Sequence, residues 1–152
     1  MRPRSASANG GHAASVDAFE ELAAAFAREL RPGDVVALEG PLGSGKTTFV
    51  AAVVRALGNS SHVTSPTFTF RHHYEGTPPV EHLDLFRLED PAEAAQLGLE
   101  EAFGADRIVL VEWPERLPGL LPAHAIRLRI AGAGDGPREI AVTRPAGRGA
   151  NG

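Results

Sequence analysis

The segment that most clearly indicates the fold of this chain is Val35-Val36-Ala37-Leu38-Glu39-Gly40-Pro41-Leu42-Gly43-Ser44-Gly45-Lys46-Thr47. It opens with an apolar run, which is typical of a strand buried on both faces of a parallel sheet. It closes with the pattern G-x-x-x-x-G-K-[ST], matched in full from Gly40. Residues 47–57 follow with a helix pattern that ends at Gly58, a residue suited to a left-handed cap. The motif therefore lies between a strand and a helix, as a phosphate-binding loop requires.

The motif predicts a nucleotide site because each of its positions has a physical role. Its glycines let the backbone curl so that N–H groups point at phosphate oxygens, and the next helix adds its positive end. Lys46 is expected to reach the β- and γ-phosphates, and the Thr47 hydroxyl is expected to ligate Mg²⁺. The predicted nucleotide-binding residues are Leu42, Gly43, Ser44, Gly45, Lys46, Thr47 and Thr48.

A single lysine helps to identify the nucleotide. Of the 15 basic residues, 14 are arginine, and the one lysine is Lys46. An ammonium is narrow enough to enter a nest of backbone N–H groups, whereas a guanidinium is too broad. The guanine-specific N-K-x-D element of GTPases needs a second lysine, which this sequence lacks. We therefore predict ATP as the nucleotide, with Mg²⁺ as its metal.

Two acids are candidates for the magnesium site. Glu112 follows the apolar run 108–111, and Asp84 ends a less uniform run that begins at Val80. Ligands of α/β sheets gather at the carboxyl ends of strands, and a bound Mg²⁺·NTP needs an acid from a neighbouring strand. Asp84 and Glu112 each offer such an acid, and the alternative for either is a solvated acid at the mouth of its strand.

The remaining patterns complete an α/β domain. Ser15 is placed to cap a helix whose apolar residues recur at helical spacing up to Leu30. The runs 67–74 and 80–85 are strand-like and are joined by only five residues, so they should pair antiparallel. Further predicted elements are a helix over 91–103 with an interruption near Gly98, a strand over 108–111, and a C-terminal hairpin of strands over 126–130 and 139–143. The predicted fold is a single-domain P-loop NTPase with a mixed sheet that includes antiparallel strands.

Length and composition predict one domain with loose ends. A chain of 152 residues supports one hydrophobic core. Residues 1–14 and 145–152 are rich in small residues and arginine, so we predict a disordered N-terminal extension and a disordered C-terminal tail around an ATPase domain of residues 15–144. The absence of cysteine excludes disulfides, thiol nucleophiles and Cys-type zinc sites. No apolar stretch approaches the roughly 20 residues of a membrane helix, so we expect a cytoplasmic protein with no membrane contact.

Charge and histidine patterns exclude two further classes of site. Residues 5–125 hold 8 basic and 17 acidic side chains, so the main body is not expected to bind nucleic acid by itself. His72, His73 and His82 lie on the two paired strands, but successive residues point to opposite faces of a strand. Since no cysteine is present, we expect these histidines at the surface or at a partner contact rather than in a zinc site.

Four motifs in this order resemble one known family. They read Gly40-Pro41-Leu42-Gly43-Ser44-Gly45-Lys46-Thr47-Thr48, Thr64-Ser65-Pro66-Thr67-Phe68, His82-Leu83-Asp84-Leu85-Phe86-Arg87-Leu88 and Val111-Glu112-Trp113-Pro114-Glu115. The chain resembles the TsaE family, small bacterial ATPases of tRNA threonylcarbamoyladenosine biosynthesis, over residues 15–143. The family commonly has tyrosine where Phe68 and Phe86 stand here, so two hydroxyls are lost without a change to the phosphate chemistry.

The resemblance implies roles for four residues of the site. It places Lys46 as the phosphate lysine and Thr47 as the metal hydroxyl. It places Asp84 as the Walker B aspartate and Glu112 as the glutamate near Mg²⁺, and it thereby implies that both are catalytic residues and, with Thr47, metal ligands. The segment 64–68 corresponds to the position of a nucleotide-sensing switch.

The resemblance also implies partners. It implies an ATP-hydrolysing subunit, monomeric when isolated, that works with two larger proteins, TsaB and TsaD, in the threonylcarbamoylation of adenosine 37 of tRNA. Hydrolysis would cycle the TsaB–TsaD complex, and we expect weak activity without it. We expect those partners to hold the tRNA, with Arg127, Arg129 and Arg138 of the hairpin as at most a peripheral contact.

Two other functions are compatible with the same residues. One is a small-molecule kinase on a P-loop scaffold, and the other is a nucleotide-gated binding module with negligible turnover. A kinase needs an acceptor pocket and usually a lid that carries arginine, and no insertion in this sequence looks long enough for one. Phosphorylated metabolites would identify a kinase, and ATPase assays with and without TsaB–TsaD would identify a binding module.

Overall fold

Seven strands form one mixed sheet in the computed structural model, which describes residues 10–59, 63–64, 66 and 68–145. The strands are β1 (Gly10–Ala13), β2 (Val35–Glu39), β3 (Arg71–Tyr74), β4 (Val80–Asp84), β5 (Ile108–Glu112), β6 (Ile126–Ala131) and β7 (Arg138–Thr143). The helices are α1 (Val16–Ala27), α2 (Lys46–Ala56) and α3 (Pro91–Gln96), with short 3₁₀ helices at Leu99–Ala102, Pro114–Arg116 and Pro118–Leu120. Across the sheet the strands lie in the order β1-β7-β6-β2-β5-β4-β3.

The centre of the sheet is parallel and both margins are antiparallel. β2 pairs in parallel with β5 and with β6, and β5 pairs in parallel with β4. β3 pairs antiparallel with β4, β7 with β6, and β1 with β7. The predicted α/β class with a mixed sheet is confirmed, and so are both predicted hairpins.

Two layers of side chains bury the sheet. On one face α1 and α2 pack together, and the ring of Phe49 lies 5.8 Å from the rings of Phe19 and Phe26. On the other face, Leu99 and residues of α3 cover β4 and β5. Ser15 caps α1 as predicted, because its Oγ accepts a hydrogen bond from the Ala18 N–H at 3.1 Å. The apolar run of β2 is consequently buried on both faces.

The strand predicted over 67–74 is shorter than expected. β3 begins only at Arg71, because Phe70 adopts a φ of 67°. A bulky residue in this left-handed region cannot continue an extended strand. The helix predicted over 91–103 does divide near Gly98, whose φ of 68° separates α3 from the following 3₁₀ helix.

The prediction of a disordered extension over residues 1–14 is wrong for its last part. Gly10–Ala13 forms an edge strand in register with β7, with Gly10 opposite Ala141. A Cβ atom at Gly10 would lie 1.8 Å from the carbonyl oxygen of Ile140, so the small residues that suggested a loose segment instead allow a close approach of two backbones. Residues 1–9 and 146–152 lie outside the described part of the chain.

The helices are short relative to a bilayer. α1, with 12 residues, is the longest helix among the described residues. No helix in that part of the chain has both the length and the apolar character needed to cross a membrane.

Candidate functional site

One cleft lies where β2, β4 and β5 end. The strand register sets Glu112 beside Leu38 on one side and beside Asp84 on the other, so the carboxyl ends of three neighbouring strands meet at one edge. The cleft has a volume of about 250 Å³. Its lining consists of Leu42, Gly43, Gly45, Lys46, Thr47, Thr48, Asp84, Phe86, Glu112 and Trp113. The structure thus brings together every predicted site residue except Ser44, which is buried and does not line the cleft.

The loop over residues 40–47, called the 40–47 loop below, depends on glycine at two positions. Gly45 has a φ of 103°, and a Cβ atom there would lie 3.2 Å from the Phe19 ring. A Cβ atom at Gly40 would lie 2.6 Å from the carbonyl oxygen of Ile130. α2 begins at Lys46, directly after Gly45, so the N–H groups of its first turn face the cleft. This arrangement of a glycine turn and a helix N-terminus favours binding of an anion.

Lys46 lies at the base of the cleft with little contact to water. Its Nζ donates to the carbonyl oxygens of Gly40 and Pro41, the second at 3.1 Å, and lies 4.1 Å from the centroid of the Trp113 ring. Burial lowers the pKa of Lys46, while nearby carboxylates, above all that of Glu112, oppose this shift. An anionic ligand in the cleft would further offset the cost of burying this ammonium.

Oxygen atoms of the predicted metal ligands face one another across the cleft. The Thr47 hydroxyl donates to Glu112 Oε2 at 3.3 Å. Asp84 lies on the adjacent strand, and its Oδ1 accepts a hydrogen bond from the Phe86 N–H at 2.9 Å. Both carboxylates are buried. Among the described residues, no group of three or more His, Asp or Glu side chains is arranged so that it could hold a metal ion.

The expectation that His82 lies at the surface is wrong. Its side chain is fully buried, and its Nε2–H donates to Glu112 Oε2 at 2.6 Å. The physical reason is that β4 lies between β5 and β3 and is buried at all of its positions. A signal was present in the sequence, because His82 and Asp84 are two residues apart and therefore share one face of the strand.

His73 has different surroundings from His82. His73 lies at the sheet margin and contacts Glu81 and Glu75.

Trp113 lines the cleft with a φ of 58°, and its ring centroid lies 4.9 Å from that of Phe86. Trp113 is thus a partly buried side chain that packs against the core and forms a wall of the site.

The predicted switch segment is described only in part. Ser65 and Thr67 lie outside the described residues. Phe68 is 78% exposed, and the guanidinium of Arg87 lies 4.6 Å from the centroid of its ring. Arg87 is thus engaged at the surface and does not line the cleft.

The three arginines of the C-terminal hairpin also separate into two groups. Arg127 and Arg129 both donate to the Glu39 carboxylate, at 2.9 and 3.2 Å. Arg138 instead donates to carbonyl oxygens of the 40–47 loop. Sequence patterns gave no indication of this contact, which joins residues more than 90 positions apart.

Comparison with known proteins points to one family. A sequence profile described as "Threonylcarbamoyl adenosine biosynthesis protein TsaE" matches residues 13–140. The chain is 44% identical over 127 residues to the tRNA threonylcarbamoyladenosine biosynthesis protein TsaE of Bacillus subtilis, covering 83% of this chain and 77% of that protein. It is 36% identical to the TsaE protein of Rickettsia bellii over 132 residues, covering 85% and 90% of the two chains.

A solved structure supports the same relationship. The crystal structure of YdiB from Bacillus subtilis superposes with a TM-score of 0.77 at 33% sequence identity, covering 91% of this chain and 86% of that one. The sequence profile, the relatives and the shared fold agree over nearly the whole described chain. The protein therefore belongs to the TsaE family, whose members take part in the biosynthesis of threonylcarbamoyladenosine.

Proposed function

We propose that this protein binds and hydrolyses Mg²⁺·ATP as a subunit of the system that forms threonylcarbamoyladenosine in tRNA. The observation that carries the proposal is the single cleft in which the buried Lys46, the N-terminus of α2, the Thr47 hydroxyl and two buried acids converge. Each of these groups suits one part of a metal-bound triphosphate.

Residues of this chain would position the phosphates of ATP and supply the charges that hold the phosphates and Mg²⁺. The Lys46 ammonium and the N–H groups at the start of α2 would hold phosphate oxygens in line for attack. Magnesium in such sites usually has one or two carboxylate ligands, with phosphate and water oxygens completing its shell. Thr47, Asp84 and Glu112 therefore fit it, and bound Mg²⁺ would neutralise charge that develops on the phosphates.

A neighbouring cleft has room for the nucleoside. It has a volume of about 180 Å³ and shares Gly45 and Thr48 with the first cleft. Its lining includes Phe19 and Val16, whose side chain is 66% exposed. Because the two clefts share Gly45 and Thr48, the base of ATP would extend over Val16 while its phosphates occupy the 40–47 loop.

The lining of the cleft supports a role for partner proteins in hydrolysis. Among the described residues, no arginine lines it. Arg116 lies nearby, but its guanidinium is 5.4 Å from the centroid of the Phe86 ring. An arginine supplied from outside is worth roughly 10³ to 10⁵ in the rate of phosphoryl transfer. We therefore propose that hydrolysis is weak in isolation and is stimulated when TsaB and TsaD dock at this edge, with tRNA held chiefly by those partners.

Phosphate release assays test the proposal directly. We expect ADP and inorganic phosphate in equal amounts, a clear rise in rate on addition of TsaB and TsaD, and loss of that rate in Lys46→Ala. Transfer of the phosphate to a metabolite would instead identify a kinase. The proposed hydrolysis would be refuted by a rate in Lys46→Ala equal to that of the parent protein.

The pathway role needs a separate test. In cells depleted of their own TsaE protein, expression of this chain should restore threonylcarbamoyladenosine in hydrolysed tRNA, measured by mass spectrometry. Lys46→Ala should not restore it. Failure of the parent chain, expressed at a normal level with cognate TsaB and TsaD, would rule out the proposed role.

A further inference from the structure

Arg138 joins the turn of the C-terminal hairpin to the 40–47 loop. It is the first residue of β7, and its guanidinium is half-buried. Its Nε donates to the Ser44 carbonyl oxygen at 2.7 Å, and its Nη2 donates to the Gly43 carbonyl oxygen at 3.2 Å. On its other side it donates to the carbonyl oxygens of Gly134 and Gly136, at 2.9 and 2.6 Å. One planar cation therefore holds two segments that are distant in sequence.

These contacts determine which way two peptide groups of the loop face. In a trans peptide the C=O and the following N–H point in opposite directions. Because Arg138 holds the carbonyl oxygens of Gly43 and Ser44, the N–H groups of Ser44 and Gly45 must point away from it. The Ser44 N–H closes the turn by donating to the Pro41 carbonyl oxygen at 3.1 Å. The Gly45 N–H is left facing the side on which Gly45 lines the cleft.

The loop has few other restraints at these positions. Gly43 has a φ of 78°, and glycine has a large conformational freedom that ordering must overcome. Among the described residues the buried Ser44 Oγ has no hydrogen-bond partner, so this side chain adds no hydrogen bond that would orient the loop. Arg138 donates from separate nitrogens of one planar group to the loop and to the hairpin turn, whereas the three donors of a lysine ammonium lie on one atom and cannot span both.

We propose that Arg138 is a positioning residue that holds the 40–47 loop in its phosphate-binding shape. This inference rests on the proposed nucleotide site and extends it to a residue outside the sequence motif. Arg138 acts through the carbonyl oxygens of Gly43 and Ser44, and its loss lets these peptides rotate, so that carbonyl oxygens can face the phosphates.

The test is a comparison of nucleotides that carry different numbers of phosphates. Affinities of ATP, ADP, AMP and adenosine should be measured by calorimetry for the parent protein and for Arg138→Lys and Arg138→Gln. We expect both variants to weaken ATP and ADP binding by about tenfold or more, as expected when charge-assisted hydrogen bonds no longer order the loop. Arg138 also lines the neighbouring cleft, so adenosine should lose some affinity, but clearly less than ATP and ADP, because the loop holds only the phosphates. A merely structural role would weaken all four ligands alike.

Arg144→Ala is the matched control. Arg144 directly follows the same strand, is also half-buried, and donates to Glu29 Oε1 at 2.8 Å. It lies at the opposite end of β7, about 20 Å from Arg138 at the usual rise of a strand. This variant should bind all four ligands as the parent protein does. Hydrogen exchange of the peptide that covers residues 40–48 should become faster in Arg138→Lys and stay unchanged in Arg144→Ala.

Separate outcomes refute the inference and the proposed function. Parent-like ATP affinity in Arg138→Lys, which keeps the charge but not the planar group with its separate donors, would overturn the positioning role. Equal losses for adenosine and ATP would also overturn it. Unchanged ATP affinity in Lys46→Ala would overturn the nucleotide site itself, whatever the Arg138 variants do.

Discussion

The Nε2 of His82 lies 2.6 Å from Glu112 Oε2, with both side chains buried between β4 and β5. The same Glu112 oxygen accepts a hydrogen bond from the Thr47 hydroxyl at 3.3 Å. The other ring nitrogen of His82 has no hydrogen-bond partner in the part of the chain that the structure describes. The orientation of the Glu112 carboxylate toward the cleft therefore depends on one hydrogen bond from each of two neighbours.

Removing the His82 contact should slow hydrolysis more than it weakens ATP binding. His82→Leu removes one of the two hydrogen-bond donors of the buried Glu112 carboxylate, which costs on the order of 1–3 kcal/mol of unfolding free energy. His82→Gln retains an amide N–H that can reach Glu112, so it should recover part of the activity. Partner-stimulated phosphate release and ATP affinity, measured on both variants, separate the two effects. Equal hydrolysis rates in His82→Leu and the parent protein would contradict this role.

Replacing Lys46 or Thr47 should abolish the thermal stabilisation that Mg²⁺·ATP gives. Lys46→Ala removes the ammonium at the base of the cleft, and Thr47→Ala removes a hydroxyl oxygen near Glu112. A ligand that binds the folded state raises its stability by about 2.7 kcal/mol at a concentration of 100 Kd, and this gain should disappear. Differential scanning fluorimetry with and without Mg²⁺ provides the measurement. We expect the Thr47→Ala defect to be larger when Mg²⁺ is present, and an equal defect in EDTA would argue against a metal role for Thr47.

Neutralising either acid should impair hydrolysis far more than folding. Asp84→Asn and Glu112→Gln keep the shapes of side chains that line the cleft but remove their charge. Electrostatic contributions of single groups in such sites are worth about 10²–10³ in rate. Glu21→Gln, at an exposed position of α1, is the control and should hydrolyse ATP at the parent rate. If Asp84→Asn and Glu112→Gln were both as active as Glu21→Gln with partners present, neither acid would belong to the site.

His73 should make stability depend on pH at the sheet margin. Its hydrogen bond to the buried Glu81, followed by that to Glu75, raises the pKa of His73 above its ordinary value of 6.5. Its stabilising contribution is therefore fully present well below pH 6.5 and is lost as the pH rises through the higher pKa of the folded state. The difference in Tm between the parent protein and His73→Gln should be larger at low pH than at high pH. An equal difference at both extremes would show that the charge of His73 does not contribute.

The local framework of the site could be predicted from contiguous residues of the sequence. The apolar run before Gly40, the glycines of the loop and the helix after Lys46 are contiguous, so their spacing alone predicts strand, turn and helix. Short connections likewise predicted both antiparallel hairpins, because a chain of five residues cannot cross a sheet to make a parallel pair. The position of Asp84 and Glu112 at strand ends followed from the same local patterns, as did their expected proximity.

Long-range packing selects the distant side chains that complete this framework, and these contacts could not be predicted from the sequence. The pairing of Gly10–Ala13 with β7, the contact of His82 with Glu112, and the reach of Arg138 to Ser44 each join segments that are far apart in sequence. Local periodicity indicates which face of an element is apolar, but it does not tell which remote group will lie opposite a given polar atom. In a buried sheet that group is selected by strand order and register, because a polar atom sealed from water must find its partner among the neighbours that packing provides.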